Sequence, residues 1–405
     1  MINKIFFKNY KSFKDQQELE LKPITILIGK NSSGKSAVAK LPTLIEGSLS
    51  GNFEDPLLTT NNNVELGAEF RDLVHERIGS LEIILENFEN KLTVEVASGN
   101  KDHDFPRIRK WVLNEEFDFK YNDLNKSYYN DINEGDFNCD FNGFNLELLF
   151  DKGKDGSSEN VIDLKDRGIT LKTNYIGPFR ETPNRTYSSI GNSKIQKIGN
   201  KGENAYQILI SDYLYNDSKL LNKVNEWYRN NFDGWGIKVN SQSKPDYKIE
   251  LYRTEPKFEV NIRDVGQGMS QALPLVVSAF LNQKEEVLTI IEQPELHLHP
   301  AAHGDLAELF VESTKNNKSK FLIETHSQNF VLRLRRMVAE DRFDKNNISI
   351  YSVEYDSDEN TSSLKKINIT EYGEVTYWPE NVFSETLDET IAIRTAQIKK
   401  GKNGN

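Results

Sequence analysis

The chain has 405 residues, with 51 lysines and arginines against 62 aspartates and glutamates, for a formal charge of −11. Area scaling buries about three-quarters of the unfolded surface of such a chain, and a prior of about 150 residues per domain predicts two or three units. The acidic balance excludes a protein that coats nucleic acid nonspecifically, though it leaves room for a local basic face, and a single cysteine, Cys139, excludes an intrachain disulfide framework and a cysteine-based zinc site.

In chain order, residues 4–14 and 17–28 read as short strands around a turn. The run Ile24 to Ile28, bounded by Pro23 and Gly29, is rich in β-branched residues and fits a strand buried on both faces. A helical pattern follows from Ser36 to near Gly47, with Pro42 inside it removing one hydrogen bond. Leu81 to Val96 reads as a hairpin turning at Asn87 to Asn90. Residues 99–172 are rich in Asn and Asp and weakly periodic, and are taken as an insertion containing strands at most. Residues 203–231 are helical in pattern, strands return near 236–262, and a helix is expected from Ser270 to Asn282.

Further on, Val287 to Ile291 and Phe321 to Ile323 are buried strands, each followed by a helix, over 301–315 and 327–340. A hairpin is expected at 348–369, and residues 396–405 read as a disordered tail. The longest apolar run, Leu273 to Leu281, is interrupted by Ser278 and contains Pro274, whereas a membrane span needs about 20 apolar residues. The N-terminus lacks the apolar core of a signal peptide. These features predict a cytoplasmic protein with no membrane partner. His75 and His103 show no partner pattern and are read as surface residues.

The segment Gly29-Lys30-Asn31-Ser32-Ser33-Gly34-Lys35-Ser36 satisfies G-x-x-x-x-G-K-[ST], after a predicted strand and at the start of a predicted helix. In that context, successive backbone N–H groups and the helix N-terminus form a concave anion site for nucleotide phosphates. Lys35 supplies a point charge to the phosphate oxygens, and the Ser36 hydroxyl is a ligand for Mg²⁺. The apolar strand ending in Glu292 has the form of a Walker B element, whose acid holds Mg²⁺ through water. Around it lie a glycine-rich turn opening a helix (Asp264 to Gln271), the turn Gln293 to Pro300, and a second strand ending in Glu324-Thr325-His326-Ser327.

Four segments in order, GKNSSGKS (29–36), DVGQGMSQALP (264–274), IIEQPELHLHP (290–300) and ETHS (324–327), resemble the ABC-type ATPase heads of the SMC, RecF and OLD group. More narrowly they resemble stand-alone AAA-family ATPases of bacterial anti-phage defence systems. Weaker echoes are FRDLVH (70–75), YIGPFRETPNRTY (175–187) and YWPENVF (377–383). The resemblance implies an α/β P-loop NTPase of ABC type, with a mixed sheet, an N-terminal antiparallel β-lobe and a helical signature lobe. It divides the chain into 1–98 (first part of the head), 99–172 (insertion), 173–395 (helical lobe, signature, Walker B and switch histidine) and the tail 396–405.

It also implies that ATP is sandwiched in a homodimer or larger assembly, with Gly29, Asn31, Ser32, Ser33, Gly34, Lys35 and Ser36 of one subunit facing Gly266, Gly268, Ser270 and Gln271 of the other. The latter segment departs from the LSGGQ form. His326 maps to the switch histidine that touches the γ-phosphate. The catalytic set is then Glu292, Gln293, Glu295 and His326. In most such heads a glutamate follows the Walker B acid, whereas here Gln293 stands there. An amide orients water but cannot take its proton, so slow hydrolysis is expected, with Glu295 the alternative base. His297, His299 and His303 overlap the same turn and are not read as a metal site.

No coiled-coil insertion or Cys-x-x-Cys hook is present, and residues 327–405 are too short for a Toprim nuclease. The expected role is an ATP-gated dimeric sensor or scaffold whose separate partner, a nuclease or other toxin, acts in anti-phage defence. The alternative is a RecF-like DNA-repair ATPase clamping duplex DNA. Candidate DNA contacts are Arg333, Arg335 and Arg336, and Arg107, Arg109 and Lys110, each also explicable as a solvated face. Arg180 and Arg185, flanking Pro183, suggest a fixed phosphate or carboxylate contact, or a structural ion pair. The stretch 99–172 is a candidate partner surface.

Overall fold

The computed structural model describes residues 1–98, 105–130, 132, 135–151, 162–189, 195–316, 318–380, 382–383 and 385–402. Its strands are β1 (Lys4–Lys8), β2 (Gln17–Glu20), β3 (Ile24–Ile28), β4 (Thr60–Asn61), β5 (Val64–Glu65), β6 (Leu81–Glu86), β7 (Lys91–Ala97), β8 (Arg107–Leu113), β9 (Phe117–Asn122), β10 (Ser127–Asn130), β11 (Gly135–Asn142), β12 (Asn145–Asp151), β13 (Thr173–Ile176), β14 (Tyr187–Ser188), β15 (Gly236–Ser243), β16 (Asp246–Arg253), β17 (Phe258–Asn261), β18 (Val287–Glu292), β19 (Ser319–Glu324), β20 (Ile348–Asp356) and β21 (Thr361–Ile367). The helices are α1 (Lys35–Leu49), α2 (Ala205–Tyr215), α3 (Lys219–Asn231), α4 (Gln267–Phe280), α5 (Pro300–Asn316), α6 (Gln328–Ala339) and α7 (Glu385–Lys402).

Two large sheets share the chain. The central sheet runs β13-β18-β19-β3-β20-β21, parallel except for the last pair. The second is an antiparallel ladder of nine strands, β12 through β6 in reverse order and then β1-β2. This is the expected class: an α/β P-loop head with a mixed sheet and an N-terminal antiparallel β-lobe. The lobe holding α2, α3 and α4 also carries the small antiparallel sheet of β14, β15, β16 and β17, so it is not purely helical.

Period-2 alternation explains how the central sheet is held. Ile24, Ile26 and Ile28 of β3 join Ile291, Phe321 and Ile323 in one core, against α5 and α6 and the α2–α4 lobe. Leu27, Leu288, Ile290 and Leu322 point the other way, into a core shared with α1 and the β-lobe. Every residue of β3 is buried, as its unbroken apolar run predicts. The predicted hairpin at 81–96 forms as β6 and β7, and the one at 348–369 as β20 and β21. The helical stretch 203–231 is two helices, broken at Asn216–Ser218, where Asp217 and Ser218 take positive φ.

The stretch 99–172 supplies β8 to β12, which continue the β-lobe ladder from β7. Trp111, fully buried there, donates its indole N–H to the carbonyl of Phe144 at 2.8 Å. The turn between β11 and β12 meets the C-terminal end of α1. Phe144 N donates to Ser48 O at 2.8 Å and Asn145 Nδ2 to Leu49 O at 3.2 Å, satisfying carbonyls that a helix end leaves without partners. Helix α7 covers part of the stretch read as a tail, and residues 403–405 lie outside the described residues, as does His103. His75 corrects its surface reading: it is buried, with Nδ1 2.9 Å from Lys11 O. No helix among the described residues is long and apolar enough to cross a membrane.

Gly143 has φ 59°, and a Cβ there would lie 2.0 Å from Ser48 O. Gly143→Ala should therefore lower stability by about 2–4 kcal/mol through backbone strain and forced separation of β-lobe and helix. A urea midpoint equal to wild type would contradict this packing.

Candidate functional site

The phosphate-loop segment leaves β3 and enters α1, as its motif requires. Gly29 and Gly34 have φ of 145° and 103°, and Ser32 has φ 62°, so the loop curls into left-handed backbone before the first helical turn. Lys35 is buried, and its ammonium donates to the carbonyls of Gly29 and Lys30 at 3.1 and 2.6 Å. Burial lowers its pKa, partly offset by Glu324. The Ser33 hydroxyl is buried and makes no hydrogen bond among the described residues. An orphaned hydroxyl and a partly desolvated ammonium on one loop fit a phosphate group.

Beside the loop stand two acids. Glu292 ends β18 and Glu324 ends β19, directly opposite each other in the parallel register. Both are buried. Ser36 Oγ donates to Glu324 Oε2 at 2.7 Å, and Tyr175 OH donates to Glu292 Oε1 at 2.8 Å. Lys40 Nζ lies 4.0 Å from Glu292. A hydroxyl and two carboxylates are the hard oxygen donors that Mg²⁺ prefers. Sequence reasoning named Ser36 and Glu292 but missed Glu324, which appeared only as the first letter of the ETHS segment.

The turn after Glu292 is tightly tied. Gln293 has φ 48°, its N–H donates to Glu324 O at 2.8 Å, and its side chain is half-buried. Arg180, also buried, donates Nη2 to the carbonyls of Glu292 and Gln293 at 3.2 and 3.0 Å. Burial brings its pKa down to about 10. Glu295 is occupied structurally: it accepts from Thr325 Oγ1 at 2.8 Å and from His326 N at 2.6 Å, so it fastens the Walker B turn to the switch-histidine turn. Ser327 caps α6 by accepting from Phe330 N at 3.1 Å. His326 is half-buried, and desolvation and then Lys35 lower its pKa, favouring neutral imidazole.

The signature-like turn opens α4. Gly266 is exposed and Gly268 half-buried, with its Cα so close to the 293–299 turn that a Cβ would lie 2.9 Å from His297 O. Ser270 and Gln271 are buried and turned inward, Ser270 Oγ onto Gln267 O at 3.1 Å and Gln271 Nε2 onto Arg180 O at 3.3 Å. Gly268 and Gln271 thus lie on the flank of the Walker B turn, the one against His297 and the other against the arginine that holds that turn. His303 lies between Ser327 Oγ at 2.7 Å and Leu298 O at 3.2 Å, and His299 Nδ1 accepts from Ala301 N at 3.3 Å.

The basic clusters are largely paired. Arg333 reaches Asp305 and Glu308 at 3.2 and 2.8 Å, Arg336 reaches Glu340 at 2.7 Å, and Arg335 donates to Gly373 O at 2.7 Å. Arg109 meets Asp123 at 2.5 Å, Arg107 bonds Tyr121 OH at 2.5 Å, and Lys110 lies in register between Glu95 and Lys120. Arg185 makes a bidentate pair with Asp264 at 3.0 and 2.8 Å, which anchors the signature turn.

A strand, phosphate-binding loop and helix beside two acidic strand ends define a nucleotide-binding P-loop ATPase. The AAA ATPase domain matches residues 1–331, and the chain belongs to that family. Similar solved structures are an SMC head domain from Thermotoga maritima (13% identity, TM-score 0.43, 91% of this chain and 99% of that one) and an SmcHead bound to the C-winged helix domain of ScpA (14%, 0.47, 91% and 98%). A third is an Smc head domain with an extended coiled coil bound to the C-terminal domain of ScpA, derived from Pyrococcus furiosus (12%, 0.48, 97% and 99%). No curated protein matches the chain.

Burial, and after it repulsion by Glu324, pushes the Glu292 carboxyl up from 4.5 to about 7. The fold then holds that proton more tightly than the unfolded chain, so the contribution of Glu292 to stability is full below pH 4.5 and is lost as pH rises through 7. Without divalent cation the loss should be on the order of 2–3 kcal/mol. Urea denaturation between pH 4.5 and 8 should show this slope in wild type and a flatter one in Glu292→Gln.

Proposed function

We propose that the chain binds Mg-ATP at residues 29–36 and hydrolyses it slowly within an ATP-sandwiched homodimer or larger assembly. The observation that carries this reading is the convergence of Glu292 and Glu324 on Ser36 of the phosphate loop, with the backbone of Gln293 tied to Glu324. The backbone amides of residues 29–36 and the Lys35 ammonium bind the phosphates, which displace the lysine from its own loop carbonyls. Ser36 and Glu292, the latter through water, hold Mg²⁺, which neutralises charge on the phosphates. Gln293, fixed through its backbone by Glu324 and Arg180, orients the attacking water. It accepts no proton, so the proton leaves with the phosphate product and turnover is slow. Neutral His326 donates to the γ-phosphate. Gly266, Gly268, Ser270 and Gln271 face the ATP of the second subunit, with Ser270 and Gln271 acting through the N-terminus of α4 rather than through their inward-turned side chains.

The favoured role is a cytoplasmic, ATP-gated sensor or scaffold in anti-phage defence, with a separate nuclease or toxin as effector. The wording of the GKNSSGKS, IIEQPELHLHP and ETHS segments supports it. A RecF-like DNA clamp is the second reading, and the carboxylate partners of Arg109, Arg333 and Arg336 weigh against it.

Lys35→Ala should abolish ATP binding by equilibrium dialysis. Gln293→Glu should raise steady-state turnover by about tenfold or more, since it restores a proton acceptor; an unchanged rate would remove Gln293 from the water-positioning role. Wild-type turnover should be slow and indifferent to linear duplex DNA. Stimulation of several-fold by DNA would instead favour the clamp.

A further inference from the structure

The sheet order places the strand carrying Glu324 between the Walker B strand and the strand that feeds the phosphate loop. β19 pairs with β3 on one side and β18 on the other, with Glu324 in register with Leu27 and Glu292. The acid at the end of β19 is therefore the nearer neighbour of the loop, and the Walker B acid lies one strand, about 4.8 Å, further away. The Ser36 hydroxyl donates to Glu324 Oε2 at 2.7 Å and also faces Glu292, whose Oε1 takes the Tyr175 hydroxyl at 2.8 Å.

We propose that Glu324 is a second carboxylate of the divalent-cation site, holding Mg²⁺ together with Ser36 and Glu292. The proposal rests on the ATP-binding reading and adds a ligand to it.

Three observations bear on it beyond position. Two buried carboxylates side by side repel, and the nearby cations do not fully serve them. Lys35 is turned onto loop carbonyls, and Lys40 comes no nearer than 4.0 Å to Glu292; both attract the Glu324 carboxylate, yet burial still leaves the pKa of both acids raised. Glu295, the third acid in the neighbourhood, is already committed to Thr325 Oγ1 and His326 N. A divalent cation compensates the remaining pair as no single lysine does, and Mg²⁺ is commonly held by one or two carboxylates together with water and phosphate oxygens. Finally, Glu324 is rigidly placed. Its carbonyl accepts from Gln293 N, and its neighbour Thr325 donates its N–H to Leu27 O at 3.1 Å, so the backbone that carries the carboxylate is anchored to both flanking strands. The same anchoring makes Glu324 the link between metal and water-positioning turn, because the residue that ligates the cation also fixes the backbone of Gln293.

The test is thermodynamic coupling between cation and nucleotide in the full chain. Affinity for a non-hydrolysable ATP analogue is measured with Mn²⁺ and again in excess EDTA, for wild type, Glu324→Gln and Glu324→Asp. Wild type should bind the analogue at least about tenfold more tightly with Mn²⁺. In Glu324→Gln that ratio should fall by about tenfold, with affinity in EDTA held within about threefold. Glu324→Asp keeps the charge but retracts it by one methylene, and should fall between the two; it serves as the deciding variant if the glutamine form does not fold. A Mn²⁺ effect in either variant equal to that of wild type overturns the proposal while leaving the ATP-binding reading standing. Absence of analogue binding by wild type in both conditions overturns the two together.

Discussion

The parallel pairing of β18, β19 and β3 is the constraint on which the rest of the site depends. Three strands in register bring Glu292, Glu324 and the start of the phosphate loop to one edge of one sheet. Hydrophobic alternation holds that register, since sliding a strand by one residue would send Ile26, Ile291 and Ile323 into the opposite core, and Leu27, Ile290 and Leu322 out of theirs. The two acids contribute nothing favourable to their own juxtaposition. Like charges in a desolvated setting oppose it, and apolar packing on both faces of the sheet overrides them.

The same setting explains why the surrounding polar groups are so closely tied. Glu295 fastens two turns that come from different strands, and Arg180 spans the carbonyls of Glu292 and Gln293 while its own carbonyl takes Gln271 from the head of α4. A turn with positive φ at Gln293 and His297 is strained for side-chain-bearing residues. These backbone bonds keep it in one conformation, and they join the signature-like helix to the Walker B turn through a single buried arginine.

Much of this was legible in the chain itself. The phosphate loop, both apolar strands that end in acids, and the helices after them follow from short patterns whose physics is local: buried runs, glycines where the loop must curl, a serine at the cap of α6. What escaped was tertiary. The partnership of Ser36 with Glu324 depends on strand order, because residues 288 positions apart meet only when β19 inserts beside β3. The arginines at 333 and 336 looked like free cations because their carboxylate partners lie on the facing helix or a turn away. The strands from Arg107 to Asp151 gave weak signals, since Asn and Asp on the exposed face of an antiparallel sheet blur the period of two. His75 looked like a surface residue because nothing near it in sequence announces Lys11 as its partner.

Helix α1 begins at the phosphate loop and, after 15 residues, ends under the β11–β12 turn. At 1.5 Å per residue that is a rod of about 22 Å, clamped at one end by the nucleotide-binding backbone and at the other by Phe144 and Asn145. The β-lobe is thus the far bearing of the rod. A shortened chain lacking those strands would leave the P-loop helix anchored at one end only.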